Sequence, residues 1–321
     1  MNVTMKKRGI WLSLAALLCA HGAFAQEEVT LPAGDRVELH GTLCVPAEAE
    51  GAVPLVIIVA GSGPTDRNGN NPQMENNSLK MVAEALQAEG IASLRYDKRG
   101  IARSRVEGLK EEELSFDDYV ADLKAWVDRY AEDRRFSKIV ILGHSEGSLV
   151  GLAVAVDDPA VKGFVSVAGS GRSADKLIKE QVGRQSSQLL AMIAPIVDSL
   201  KAGRTVEGVM PQLNSLFRPS VQPYLISWFR YDPAELIARV QCPVLVVQGD
   251  KDLQVTMEDA DGLCAACPAA RKAVIQGMNH VLKTTDTMEM QVQVIKTYMD
   301  PTLPLHRDLM PPVVAFIKDL K

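Results

Sequence analysis

Between residues 141 and 151 the chain reads ILGHSEGSLVG, an apolar run that meets a helical pattern at Ser145, with Gly143 and Gly147 on either side. Gly-x-Ser-x-Gly at a strand-to-helix junction is the setting of a serine nucleophile on a tight turn. Such a turn holds its serine at strained backbone angles, so neighbours without side chains are needed for clearance. It presents the hydroxyl at the carboxyl end of a strand, where open α/β sheets place their ligands, and the following helix aims its positive end at the same spot. A glycine-rich turn with an incidental serine would look the same, so the reading depends on partners elsewhere.

A hydroxyl becomes a useful nucleophile only when a base takes its proton, and the base needs an orienting acid. The sequence has five histidines. His21 lies in the amino-terminal apolar segment, and His40 in a hairpin pattern. His306 follows Pro301 and Pro304 in an irregular stretch. His144 adjoins the serine, on a turn expected to send neighbouring side chains apart. His280 closes the run KAVIQGMNH and is expected at the same sheet edge as Ser145. For the acid, VVQGDKDLQV offers Asp250 and Asp252 after a buried strand, although Asp also favours such loops as a turn residue.

Short apolar runs alternating with helical stretches supply the frame. VELHGTLCVP reads as a half-buried strand in a hairpin with EVTL, across the turn Ala33-Gly34-Asp35. PLVIIVAG is apolar on both faces, as expected of a strand covered on both sides. SLKMVAEALQAEG has helical spacing and a glycine stop, and SFDDYVADLKAWVDRYA is a second helix. ASLRYDKRG, KIVILGHS, GFVSVAGS, CPVLVVQGD and KAVIQGMNH are further strands, and EGSLVGLAVAV is the helix after the serine. Alternation of this kind implies a mostly parallel sheet flanked by helices. The interruption at about 172–238 has no strand signal. One helix there has a single apolar face and an internal Pro195, and Phe217, Tyr224, Trp228, Phe229 and Tyr231 crowd its second half. The expected organisation is one α/β domain over 26–321 with a helical cap inserted at about 172–238.

Residues 1–25 have a basic start (Lys6, Lys7, Arg8), an apolar run from Ile10 to Ala20 and the ending Ala23-Phe24-Ala25. That is the form of a secretory signal peptide, with an apolar run too short to span a bilayer. A mature chain from about Gln26, exported to the periplasm or the medium, is therefore expected. Cleavage would remove three cations and no acid, taking the formal charge from −5 to −8. So acidic a chain argues against nucleic acid as a partner, and no later segment has the apolar length of a membrane span. Cys44, Cys242, Cys264 and Cys267 would remain. In an oxidising compartment four cysteines allow three pairings, among which sequence does not choose. The CAAC run at 264–267 ends a segment just before Pro268, away from the helix start that would activate a thiol, and reads as structural.

From about Val53 onward the chain resembles the α/β-hydrolase superfamily, in particular bacterial esterases and serine-aminopeptidase-like hydrolases with helical caps. AGSGPTDRNGN, RYDKRGIARS, GHSEG, GDKDLQV and GMNH carry the resemblance, in that order. It implies the α/β-hydrolase fold and a triad in the chain order Ser145, Asp252, His280, with Asp252 chosen because the family's acid lies three residues after the loop glycine. It also implies acyl transfer through a covalent acyl-enzyme, without metal or cofactor. The backbone N–H groups of Ser62 and Glu146 fall at the family's oxyanion positions, where each donor typically contributes about 3 kcal/mol. Two departures stand out: Ala60 where relatives often carry histidine, and Ala102 where they usually carry glycine.

The expected reaction is hydrolysis of small-molecule esters with small or medium acyl groups, with activity rising through the ordinary histidine range near ~6.5. A serine aminopeptidase or amidase is the alternative. It would need carboxylates near the cap to hold a free amine, and Glu207, Asp232 and Glu235 are available. A catalytically inactive binding protein on the same scaffold is a third reading. The Glu146 side chain is assigned to the helix dipole or, alternatively, to a cationic or hydroxylated leaving group. Arg99 with Asp97, and Asp66 with Arg67, are taken as loop-ordering residues.

Overall fold

The computed structural model describes residues 25–34, 36–47 and 50–321. The expected signal segment up to Phe24, and Asp35 of the first turn, lie outside the described residues.

The hairpin comes first: β1 (Ala25–Pro32) pairs antiparallel with β2 (Glu38–Val45). Then follow β3 (Val53–Val59), α1 (Ser78–Ala88), β4 (Ala92–Tyr96), α2 (Phe116–Ala131), β5 (Phe136–His144), α3 (Glu146–Ala155) and β6 (Val161–Val167). The helices α4 (Ala174–Gln185), α5 (Ser187–Lys201), α6 (Asn214–Phe217), α7 (Gln222–Phe229) and α8 (Pro233–Ile237) stand between β6 and β7 (Val244–Gly249). The chain closes with α9 (Met257–Ala266), β8 (Arg271–Ile275), α10 (Met290–Gln293) and α11 (Met310–Asp319). One eight-stranded sheet runs β1-β2-β4-β3-β5-β6-β7-β8. Only the β1–β2 and β2–β4 pairs are antiparallel, and every pair from β4 onward is parallel.

The central strands are apolar on both faces because both faces are covered. On one side Phe116, Leu123, Trp126 and Val127 of α2 and Leu152 of α3 pack onto Leu55, Ile57, Ile139 and Ile141. On the other, Leu79, Val82 and Leu86 of α1 and Val313, Phe316 and Ile317 of α11 cover Val56, Ile58, Val140 and Leu142. Ser115 starts α2 with a capping box closed by Asp118, which satisfies donors that a helix start otherwise leaves open.

The helical segment after β6 has a small core of its own, built on Ile193, Val197, Leu200, Phe217 and Phe229. Tyr224 and Trp228, which border that core, and Tyr231 also pack against Phe116 at the start of α2, with ring centroids 6.4, 6.4 and 4.8 Å away. Ser227 Oγ also accepts the Phe116 N–H at 2.8 Å. These contacts lay the segment over the carboxyl ends of the strands.

One strand differs from expectation. KAVIQGMNH pairs with β7 only as far as Ile275. Gly277 then turns the chain at φ 83°, so His280 is delivered by a loop beyond the strand end.

Candidate active site

Ser145 joins β5 to α3 at φ 56° and ψ −122°, a combination that L residues adopt only when their surroundings force it. Its N–H donates to the Val167 carbonyl at 3.0 Å, and its carbonyl accepts from the Ser148 N–H at 2.9 Å. The glycines around it are sterically required. A Cβ on Gly143 would stand 2.3 Å from the Gly147 carbonyl oxygen, and one on Gly147 would stand 2.3 Å from that of Val59. The turn thus packs directly on β3.

His280 is buried near the same turn and shares a cavity with Ser145. Its Nδ1 lies 2.8 Å from Asp252 Oδ2, so this nitrogen donates and Nε2 is left as the basic lone pair. Asp252 is held from several sides. Gln248 Nε2 donates to Oδ2 at 3.2 Å, while the N–H groups of Gln254 and Val255 donate to Oδ1 at 2.8 and 3.0 Å. Asp250, the other carboxylate of this loop, accepts the Gly277 N–H at 2.6 Å and serves the turn that leads to His280.

His144 does not simply point away. Its Nε2 lies 2.8 Å from the His280 carbonyl, to which it donates. Burial, reinforced by the nearby His280 ring, lowers its pKa to about 4, so the ring is neutral at ordinary pH. Asp252 therefore orients His280 through its ring, and His144 through its backbone.

Ser62 lines the cavities on both sides of Ser145. Gly61, the residue before it, approaches so closely that a Cβ there would lie 3.1 Å from Ser145 Cβ. Glu146 is the first residue of α3, whose backbone N–H has no partner within the helix. Its side chain is buried beside Lys98, with Lys98 Nζ 3.4 Å from Oε1. The carboxylate stands in the first turn of α3, where it faces the positive end of the helix dipole, and it is ion-paired with Lys98 as well.

Two small cavities meet at Ser145. One, about 90 Å³, is lined by Leu149, Leu177, Ile178, Trp228 and Pro233 together with Ser170, Arg172, Gln181 and Gln254, and reaches under α4 and α7. The other, about 100 Å³, holds His280 and is lined by polar groups of Thr65, Asn71, Asn76, Gln254 and Tyr298. A larger cleft of about 660 Å³ lies at the amino ends of β6, β7 and β8 and contains neither Ser145 nor His280.

A family model described as serine aminopeptidase, S33 matches residues 75–221, which include GHSEG but stop short of Asp252 and His280. The chain is 26% identical over 250 residues to esterase EstD of Thermotoga maritima, covering 74% of this chain but only 55% of that relative's length. It is 23% identical to the putative carbamate hydrolase RutD of Escherichia coli O6:H1, over 73% of this chain and 84% of that one. Among solved structures, proline iminopeptidase of Mycobacterium smegmatis superposes with a TM-score of 0.60 at 18% identity, covering 91% of this chain and 98% of that one. Est1E of Butyrivibrio proteoclasticus, with ferulic acid bound, gives 0.58 at 18% identity, over 84% and 96%. The chain has the α/β-hydrolase fold.

Within this fold, the loop-ordering residues pair differently from the sequence expectation. Arg99 does not pair with Asp97; it binds Asp122 at 2.5 Å, with Asp118 at 3.5 Å. Asp97 instead receives the buried Arg67 guanidinium at 2.9 Å. Asp66 accepts the N–H groups of Asn68 and Asn70 at 2.8 and 2.9 Å, so it and Arg67 do order their loop, through separate partners. Ala102 adopts φ 44°, the left-handed conformation for which glycine is the usual residue. The CAAC run closes α9, with Cys267 as its C-cap, and all four described cysteines are thiols. Sequence reasoning missed Gln248, His144 and Lys98. A histidine adjoining the serine was a signal for the second, but nothing in the sequence distinguished the other two.

Proposed function

We propose that this protein is an exported serine esterase of the α/β-hydrolase superfamily. His280 Nε2 takes the Ser145 proton, and the serine oxygen attacks the ester carbonyl. Asp252 holds the Nδ1–H tautomer and stabilises the imidazolium as it forms. The N–H groups of Ser62 and Glu146 hold the oxyanion. His280 then gives its proton to the departing alcohol, and water, activated by the same imidazole, releases the acid from the acyl-enzyme.

The observation that carries this reading is the 2.8 Å Asp252–His280 contact opening onto the cavity of a serine held at φ 56°. The two cavities support an assignment of the substrate's halves. The more apolar one suits a short acyl chain, and the more polar one, which contains the proton-donating histidine, suits the alcohol. Short acyl groups on polar alcohols are accordingly the favoured substrates, with the helical segment at about 172–238 acting as the cap that sets acyl length. Residues 1–25 are assigned to export as a signal peptide.

The aminopeptidase alternative has less support. Asp232 caps α8 and lies 3.7 Å from Lys176. Glu207, Asp232 and Glu235 are absent from the lining of either cavity at Ser145. Among the described residues lining those cavities Glu146 is the one carboxylate, and it is paired with Lys98.

The test is a matched panel of nitrophenyl esters from acetyl to dodecanoyl, and aminoacyl anilides with free and blocked amines, with Ser145→Ala as control. Ester turnover that depends on Ser145 and peaks at short acyl chains is expected. Preference for free-amine anilides would replace the esterase reading with the peptidase one, and turnover by Ser145→Ala would end both.

A further inference from the structure

Lys98 is a buried lysine with no access to substrate, and it lies behind the residues assigned to the oxyanion hole. It follows β4 in RYDKRG, a position where a lysine would ordinarily reach solvent. Instead its Nζ donates to the Gly61 carbonyl at 2.5 Å and to Glu146 Oε1 at 3.4 Å, and it stands 5.2 Å from the centre of the Tyr119 ring. These contacts occupy the three directions an ammonium has to offer.

The two hydrogen-bond acceptors belong to the two segments that carry the oxyanion donors. The Gly61 carbonyl and the Ser62 N–H are the two ends of one planar trans peptide and point in opposite directions. A cation fixed on the carbonyl therefore sets the direction of that N–H, away from Lys98 and toward the Ser145 side, and polarises it as a donor. Glu146 supplies the other N–H from its own backbone, at the start of α3. Its side chain, gripped by the same ammonium, holds that helix end in place relative to the Gly61–Ser62 loop. An ion pair hidden from water gains little stability over an apolar pair of similar volume, so stability alone gives no reason for it here. Burial lowers the lysine pKa while Glu146 works against that shift. Tyr224 of α7 stands over the same carboxylate, and burial beside it raises the phenol pKa well above its ordinary value.

We propose that Lys98 is a positioning residue of the oxyanion hole, whose ammonium clamps the Gly61–Ser62 peptide and the Glu146 end of α3 together so that their two N–H groups converge on one oxygen. This rests on the assignment of Ser62 and Glu146 as the oxyanion donors.

Lys98→Met alone leaves the Glu146 carboxylate buried without its partner and can fail to fold. The paired variant Lys98→Met with Glu146→Gln removes both charges, keeps the volume and leaves the Glu146-position N–H intact. With folding checked by thermal melting, kcat for a short-chain nitrophenyl ester is expected to fall about 30-fold, a part of the ~10²–10³ lost when one donor is deleted outright. KM should stay within about twofold, because the effect falls on the transition state. Affinity for a short alkyl trifluoromethyl ketone, whose serine adduct places an oxyanion in the hole, should fall by the same factor. Affinity for the product carboxylic acid should not change. A purely structural role would move none of these selectively, and Lys98→Arg, which can still bridge both acceptors, should recover most of kcat. Ser145→Ala is measured in parallel. If it still turns over ester, the serine mechanism falls and the role of Lys98 with it. If turnover depends on Ser145 while the folded paired variant keeps its kcat and ketone affinity, the Lys98 proposal alone is overturned.

Discussion

Replacing Ser145 with glycine should make the protein more stable while abolishing its activity. The serine is held at φ 56° and ψ −122°, and a non-glycine residue in so sparsely populated a region costs about 1–3 kcal/mol. Alanine at the same position loses the hydroxyl but keeps the strain. Glycine loses both, and gives back about 0.5–1 kcal/mol through its greater freedom in the unfolded chain. The comparison that isolates the backbone is therefore Ser145→Gly against Ser145→Ala, with an expected advantage to glycine of about 1–2 kcal/mol. Unfolding entropy near ~2.1 cal/mol/K per residue makes that about 2–3 °C in Tm for a domain of this size. Urea unfolding of the two variants, followed by tryptophan fluorescence, gives the free-energy difference, and calorimetry gives Tm. If glycine were no more stable than alanine, the turn would not be strained, and packing between α3 and β3 rather than presentation of the hydroxyl would account for its shape.

Three further outcomes are expected. Asp252→Asn should lower kcat by about 10⁴ with little effect on KM, because the amide favours the wrong His280 tautomer, and steady-state kinetics would register this. His144 has a folded pKa of about 4 against 6.5 for an ordinary histidine. Between those pH values the unfolded chain binds the extra proton, so the stability tied to neutral His144 is complete above pH ~6.5 and is lost as pH falls toward ~4, in all about 3 kcal/mol. In His144→Gln that part of the pH dependence should vanish from urea midpoints measured across the interval, and an unchanged slope would contradict the assignment. Ala102→Gly should stabilise by about 0.5–1 kcal/mol by relieving the left-handed alanine, read as a rise in the urea midpoint without a change in its slope.

The sheet was legible because its inner strands are covered on both faces and must be apolar throughout, as PLVIIVAG and KIVILGHS are. The edge strand β8 was harder. Arg271, Lys272 and Val274 are exposed, and Gly277 turns the chain before the apolar pattern ends. Ser145 and His280, which the structure brings to one cavity, were singled out because a motif and a short histidine inventory restrict the choice. The residue types alone left Asp250 and Asp252 open, and it was the spacing of the resembled family that pointed to Asp252. Both sit in one loop, and they differ only in which one the folded loop turns toward His280. Arg67 and Lys98 were opaque for a different reason. A cation in a sequence reads as solvated surface, and its burial depends on carboxylates and carbonyls brought from distant strands. Asp97 does this for Arg67, and Gly61 and Glu146 do it for Lys98.

The most direct measurement of the central claim, that Ser145 is a nucleophile activated by His280, is the site and rate of modification by a fluorophosphonate. Intact-mass and peptide mapping should find one adduct, on the peptide containing Ser145. The rate should fall at least 10³-fold in His280→Ala, because the serine then lacks its base. An adduct on another residue, or labelling of Ser145 at an unchanged rate without His280, would contradict the claim.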